Sequence, residues 1–204
     1  FVKAGEQLCY PLNPDFNGDQ QYGFGIYQET QRDGRRCSCA TSYLSPAIKR
    51  PNLDVITGAF AEKLILENLR AAGVEVRHKG KTRKFHCGQI ILSGGAINSP
   101  QLLMLSGVGP ADHLRSFGID VKHDLAGVGQ NLQDHLDICT LASSSSRQTY
   151  DKTNRVFAGI KYLLTRSGPA SSNLAEGGGF VRSELATDER PDIQFHFVPA
   201  LLDD

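Results

Sequence analysis

Ser93, Gly94, Gly95 and Ala96 follow the apolar residues Ile90, Ile91 and Leu92 and precede a run, SPQLLMLSG, with the look of a buried helix. Small residues where a strand passes into a helix leave bare backbone at the carboxyl end of a sheet, which is where α/β folds bind ligands. The free N–H groups at the start of the next helix favour anionic or polarisable groups. A cofactor lying across this edge is one chemistry that fits the pattern. Close packing of helix on strand fits it equally well, and spacing alone leaves the two open.

The other reactive side chains form weaker patterns. A histidine can act as a general base, but none of the six histidines stands in a motif that would make it one. His113 and His135 each lie in an Asp-His-Leu context, His78, His86 and His123 lie in charged or loop surroundings, and His196 alternates with Phe195 and Phe197. All read as surface or structural. Cys37 and Cys39 form a lone CxC without further ligand spacing, so no metal is expected. There is no GxSxG elbow, and Ser143 to Ser146 read as linker, which leaves hydrolase chemistry unsupported.

Bulk properties narrow the class. Twenty-two Lys plus Arg balance twenty-two Asp plus Glu, so no electrostatic footprint argues for nucleic acid or an anionic membrane. The longest apolar runs, such as FVPALL, fall short of the roughly 20 residues that span a bilayer. Five cysteines without CxxC spacing point to reduced thiols and a cytoplasmic setting. The chain opens on Phe1 and ends at LLDD directly after an apolar strand pattern, as a piece of a longer protein would.

These residues need elements to position them. Tyr22, Phe24 and Ile26 alternate as a strand in a loop-and-hairpin region that is rich in Gly, Pro, Asn and Asp. Three short strands are expected next, in LDVITGAF, in EKLILENLRAAGVEVRH with its alternating Val74 and Val76, and in GQIILSGG. Ser99 can cap a helix with Pro100 at its first position and Gly107 at its end, and a second helix, PADHLRSFG, leads to a strand at IDVKH. After the polar run SSSSRQ, RVFAGIKYLLTRSGP reads as an amphipathic helix and DIQFHFV as a half-buried strand. The fold class is therefore mixed α/β, with a boundary near residue 126.

GAINSPQLLMLSGVG, Gly95 to Gly109, resembles the second signature of the glucose-methanol-choline (GMC) oxidoreductases, FAD-dependent alcohol dehydrogenases and oxidases. Gly95, Ala96, Ser99, Pro100, Leu102, Leu103, Ser106, Gly107, Val108 and Gly109 meet every constrained position. The resemblance continues through NPDFNG, GRRCSCATSYLSPA, RPNLDVITGA, GVGQNLQDH and EGGGFVRS, and is strongest to the choline-dehydrogenase-like branch. It implies part of a Rossmann-like FAD-binding domain at 51–125, the first part of a substrate domain at 126–204, and a loop-and-hairpin region at 1–50 associated with the latter.

The resemblance also implies roles. The backbone at Ala61 would meet the FAD adenine, the edge formed by Ser93, Gly94 and Gly95 would lie near the adenosine side, and Asn131 and Asp134 would orient a loop over the flavin. The last two are equally ordinary turn residues. Glu176 either faces the alcohol cavity or is solvated. The pattern departs from the family at Ala61, Gly94 and Ala126, where relatives often carry Val, Ala and Pro, and no GxGxxG opens a strand and helix. The resemblance therefore implies an internal fragment, with the catalytic histidine segment beyond Asp204. The implied chemistry is oxidation of a primary alcohol, choline-like or other, to an aldehyde. The alternatives are a noncatalytic α/β domain or a lyase on the same flavin scaffold.

Overall fold

The computed structural model describes residues 1–143, 145 and 149–200. In chain order its elements are α1 (Val2–Gln7), β1 (Gly23–Ile26), β2 (Gln31–Arg32), β3 (Arg35–Arg36) and a π-helical turn (Ala40–Leu44) running into α2 (Ser45–Ala47). There follow β4 (Ala59–Glu67), β5 (Arg70–His78), β6 (Lys81–His86), α3 (Gly95–Leu105), β7 (Val108–Gly109), α4 (Ala111–Ser116) and β8 (His123–Asp124). The last are α5 (Arg155–Thr165), β9 (Gly177–Val181) and β10 (Ile193–Phe197). Helices and strands are mixed, as the pattern predicts. The chain divides into two compact units, Phe1–Arg50 with Cys139–Asp204, and Pro51–Ile138.

In the first unit β9 is the centre of an antiparallel sheet, β1-β9-β10. The strands at Phe24 and Phe195 follow from their alternating pattern. The central strand does not, because three consecutive glycines carry no alternation to read. Its three glycines are buried, and the flanking rings close over them. Phe24 and Phe195 both pair with Gly179 and stack across it with ring centres 5.9 Å apart. Phe1 adds to that face, 5.5 Å from Phe24 and 4.9 Å from Phe197. On the other face Tyr27 lies over Gly178, beside His196 and Phe180, and its hydroxyl donates to the Phe195 carbonyl.

The NPDFNG stretch organises the approach to β1. Asn13 is buried, its Nδ2 donates to the carbonyls of Gln20 and Tyr22 at 2.7 and 3.3 Å, and its Oδ1 accepts the Asp15 N–H at 2.9 Å. One side chain thus closes the loop, and the Asn13 N–H bonds the Phe24 carbonyl at 2.8 Å along the outer edge of β1. The helix at RVFAGIKYLLT forms as expected, capped by Asn154 Oδ1, which accepts the Phe157 N–H at 3.1 Å. The Ser-rich run from 143 to 148 lies largely outside the described residues.

The second unit is a meander, β4-β5-β6, followed by α3 and a short parallel pair, β7 with β8, that flanks α4. The stretch EKLILENLRAAGVEVRH, expected to hold one strand, holds most of a hairpin. Asn68 and Leu69 turn it with φ of 49° and 63°. Asn suits such a turn, but Leu does not announce it. Of the strand expected in LDVITGAF only Ala59 and Phe60 join a ladder, as the start of β4, and the strand expected in GQIILSGG has none among the described residues. Propensity for β structure is realised only against a neighbouring strand. Val55, Ile56 and Ile91 are exposed accordingly. The strand expected at IDVKH is confined to His123 and Asp124, where Asp124 Oδ1 accepts the Ala111 N–H at 3.0 Å and caps α4.

Two outcomes test this packing. A methyl group at Gly178 would collide with the Tyr27 ring and the Phe195 carbonyl, whereas one at Gly177 meets nothing closer than 3.8 Å. Gly178→Ala should therefore lower stability by about 1–3 kcal/mol or more, and Gly177→Ala far less, in chemical denaturation followed by aromatic fluorescence. Burial raises the Tyr27 pKa above its ordinary 10.0. The neutral phenol is thus favoured in the folded state, so its contribution is present below pH 10 and is lost as pH rises through the raised value. Tyr27→Phe should flatten the alkaline limb of a stability-versus-pH profile.

Candidate functional site

The helix at the small-residue edge begins earlier than its sequence suggests. Ser99 does not cap it and Pro100 is not its first residue. α3 starts at Gly95, Pro100 lies inside it, and the Ser99 hydroxyl reaches back to accept the Gly94 N–H at 3.0 Å. The two glycines serve different ends. Gly95 adopts φ +86°, a left-handed value that a side chain resists, with open space in the direction of a Cβ. Gly94 has an ordinary φ, but a Cβ there would lie 3.2 Å from that of Asn98, tight yet tolerable for the Ala that relatives often carry. Ser93, Gly94 and Gly95 are all exposed, so their backbone is open to a ligand.

The far end of α3 is held by Ser106, only 2% exposed. Its hydroxyl donates to the Leu102 carbonyl at 2.6 Å and accepts the Leu64 N–H of β4 at 2.8 Å. Nothing in the notation of the motif predicts this link. The available signal is a lone hydroxyl after four apolar residues, LLML, where burial obliges it to find partners. Met104, two residues earlier, packs against Gly109 and Gly129, where a Cβ would stand 2.9 Å from its Cγ and 3.2 Å from its Cε.

Through these contacts the predicted cofactor positions of this unit hang on one helix. Ala61 lies on β4, paired with Val76, exposed and next to the bulge at Glu62. Asn131 follows the Met104-packed Gly129, with φ +55°. Its Oδ1 accepts from Gln133 Nε2 at 2.9 Å, and Asp134 Oδ1 accepts the His135 N–H at 2.8 Å. Both are engaged locally, as turn residues are.

Glu176 belongs to the other unit. Its carbonyl accepts the Tyr27 N–H at 2.8 Å, fixing the backbone at the entry to β9, and its exposed carboxylate accepts the Tyr150 hydroxyl at 3.4 Å. The histidines are dispersed: His113 packs on Phe117 with ring centres 5.0 Å apart, His196 on Tyr27, and His78 Nδ1 is buried without a hydrogen-bond partner among the described residues. Among the described residues no group of His, Cys, Asp and Glu could hold a metal. Cys37 Sγ and the Ser42 hydroxyl are 2.8 Å apart beside the π-helical turn.

The arrangement provides a solvent-open backbone edge at a helix start, with the edge strand β4 tied to the helix's other end. That suits a planar or anionic group approaching main chain. Gly95→Ala, which forces a side chain into a left-handed φ, should cost about 1–2 kcal/mol in a thermal melt, and Gly94→Ala appreciably less.

The GMC oxidoreductase family model matches residues 1–137. The chain is 46% identical over 212 residues to an alcohol dehydrogenase [acceptor] of Pseudomonas putida, covering 100% of this chain and 38% of that protein. It is 44% identical over 203 residues to an oxygen-dependent choline dehydrogenase of Staphylococcus xylosus, covering 98% and 36%. The chain thus spans little more than a third of these curated relatives. Among solved structures it superposes with TM-score 0.76 and 28% identity on a variant of the formate oxidase of Aspergillus oryzae RIB40, covering 89% of this chain and 33% of that one. The signature that contains the buried Ser106, and the match that runs from Phe1 through the meander and α3 to the loop after Gly129, place this chain in the GMC oxidoreductase family.

Proposed function

We propose that the whole protein is an FAD-dependent oxidoreductase that converts a primary alcohol to an aldehyde. The observation that carries this reading is family membership over residues 1–137, joined to relatives named for alcohol and choline oxidation. FAD is named for the formate oxidase neighbour. The residues present suit its adenosine end: the open backbone at Ser93, Gly94 and Gly95, the α3 start, and the exposed β4 edge at Ala61. FAD, when bound, supplies the acceptor for the hydride leaving the alcohol carbon.

This chain's own residues would bind and orient. Residues 51–125 form part of the cofactor side, and residues 1–50 with 126–204 belong with the substrate side. Asn131 and Asp134, early in the last of these stretches, would orient a loop over the flavin. Glu176 is the residue through which a cationic alcohol would be distinguished from a neutral one, its carboxylate being exposed. None of the six histidines is assigned as the base. A cytoplasmic setting goes with the same proposal, supported by cysteines that are free among the described residues.

Incubating the whole protein with FAD and removing free cofactor by gel filtration should leave the visible flavin band on the protein. Anaerobic addition of a primary alcohol, choline being one probe, should then bleach it. A colourless protein sinks the flavin reading. A stable band that no primary alcohol bleaches sinks the substrate class alone.

A further inference from the structure

We infer that Ser106 is a positioning residue for the adenosine end of the flavin site, acting through one shared hydroxyl; this rests on the flavin reading above. β4 is an edge strand of its meander, and its Leu64 N–H points away from β5 into buried surroundings, where an unpaired donor would be costly. The Ser106 hydroxyl accepts that N–H at 2.8 Å while donating to Leu102 at 2.6 Å, so strand and helix share one oxygen. Both bonds are directional. They fix where β4 lies along the last turn of α3.

The two segments proposed to face adenosine sit at the ends of this linkage. Ala61 lies three residues before Leu64, across the bulge that interrupts the β4-β5 register, and the exposed Ser93-Gly94-Gly95 edge begins the helix that Ser106 ends. The bulge bends β4 and leaves Glu62 without a ladder partner, so the course of the strand past it depends on what holds the residues on either side. Here the pin is Leu64. Removing the hydroxyl frees β4 to shift against α3, which moves the Ala61 backbone relative to the glycine edge while both elements persist.

The test is FAD affinity of the whole protein by flavin fluorescence, in the wild type, Ser106→Ala and Leu114→Ala. Leu114 is 1% exposed on α4 in the same unit, so its truncation destabilises at least as much without touching the β4-α3 link. Ser106→Ala should weaken FAD binding about tenfold, and Leu114→Ala by less than about twofold when both are measured well below their melting temperatures. If Ser106→Ala does not fold, Ser106→Cys, which keeps the branching but offers a bulkier and weaker acceptor, is compared in the same way. Equal weakening in both variants, or none in either, overturns the inference while leaving the flavin reading intact. A wild-type protein that takes up no FAD overturns both.

Discussion

A buried N–H on an edge strand must find an acceptor, and in the second unit Leu64 finds it in the hydroxyl of Ser106. Much of that unit's order follows from this one requirement. The serine sits where α3 ends, so the helix is drawn onto the edge of the meander and covers it. The turn beyond then passes through Gly107, whose carbonyl accepts the N–H groups of Lys122 and His123 at 2.8 and 3.1 Å and so starts the parallel pair β7-β8. Met104, on the same helical turn region, seats Gly109 and Gly129. The signature SGVG is thus a junction: a hydroxyl that satisfies a strand, a left-handed glycine, and a bare backbone that accepts a methionine.

The first unit answers a different constraint with a related solution. Its outer strands carry too many rings for a central strand that bears a side chain at every position. Gly178 and Gly179 provide the space, one on each face, and the aromatic residues of the outer strands meet over them. The buried area belongs to the neighbours. The entropic cost of glycine in a strand is offset by ring contacts that a side chain at either position would prevent.

What could be read from the amino-acid order follows the same physics. Alternation exposed β1 and β10, because those strands carry the rings. It hid β9, because glycines have no periodicity to detect. The amphipathic pattern of α5 was legible, whereas the β4-β5 hairpin was concealed by a turn that uses Leu69. Residues 53–57 and 90–92 carry strong β propensity that no described neighbour satisfies, so propensity outran pairing. At the candidate site the small-residue edge was legible as exposed backbone. The reason for each glycine was not, since one needs conformational freedom and the other needs room, and both are written with the same letter. Ser106 was visible as a motif position, but its two bonds required the strand to be in place.

The chain path through the two units sets an order of events. Pro51–Ile138 is contiguous, and its meander pairs strands that are adjacent in sequence, whereas β1 must wait for β9, with Gly23 opposite Phe180. Local pairings form early and distant ones late, so during synthesis the second unit can close while half of the first is still unmade. In that interval β1 would lack its β9 partner, and Phe24 would be covered only by Phe1, Gly5 and Tyr10. The loop at 11–13, bonded to Phe24 through its own backbone and closed by Asn13, already occupies one of the two edges. The backbone at Pro11 and Asn13 thus guards one edge of the strand whose partner is most distant in sequence.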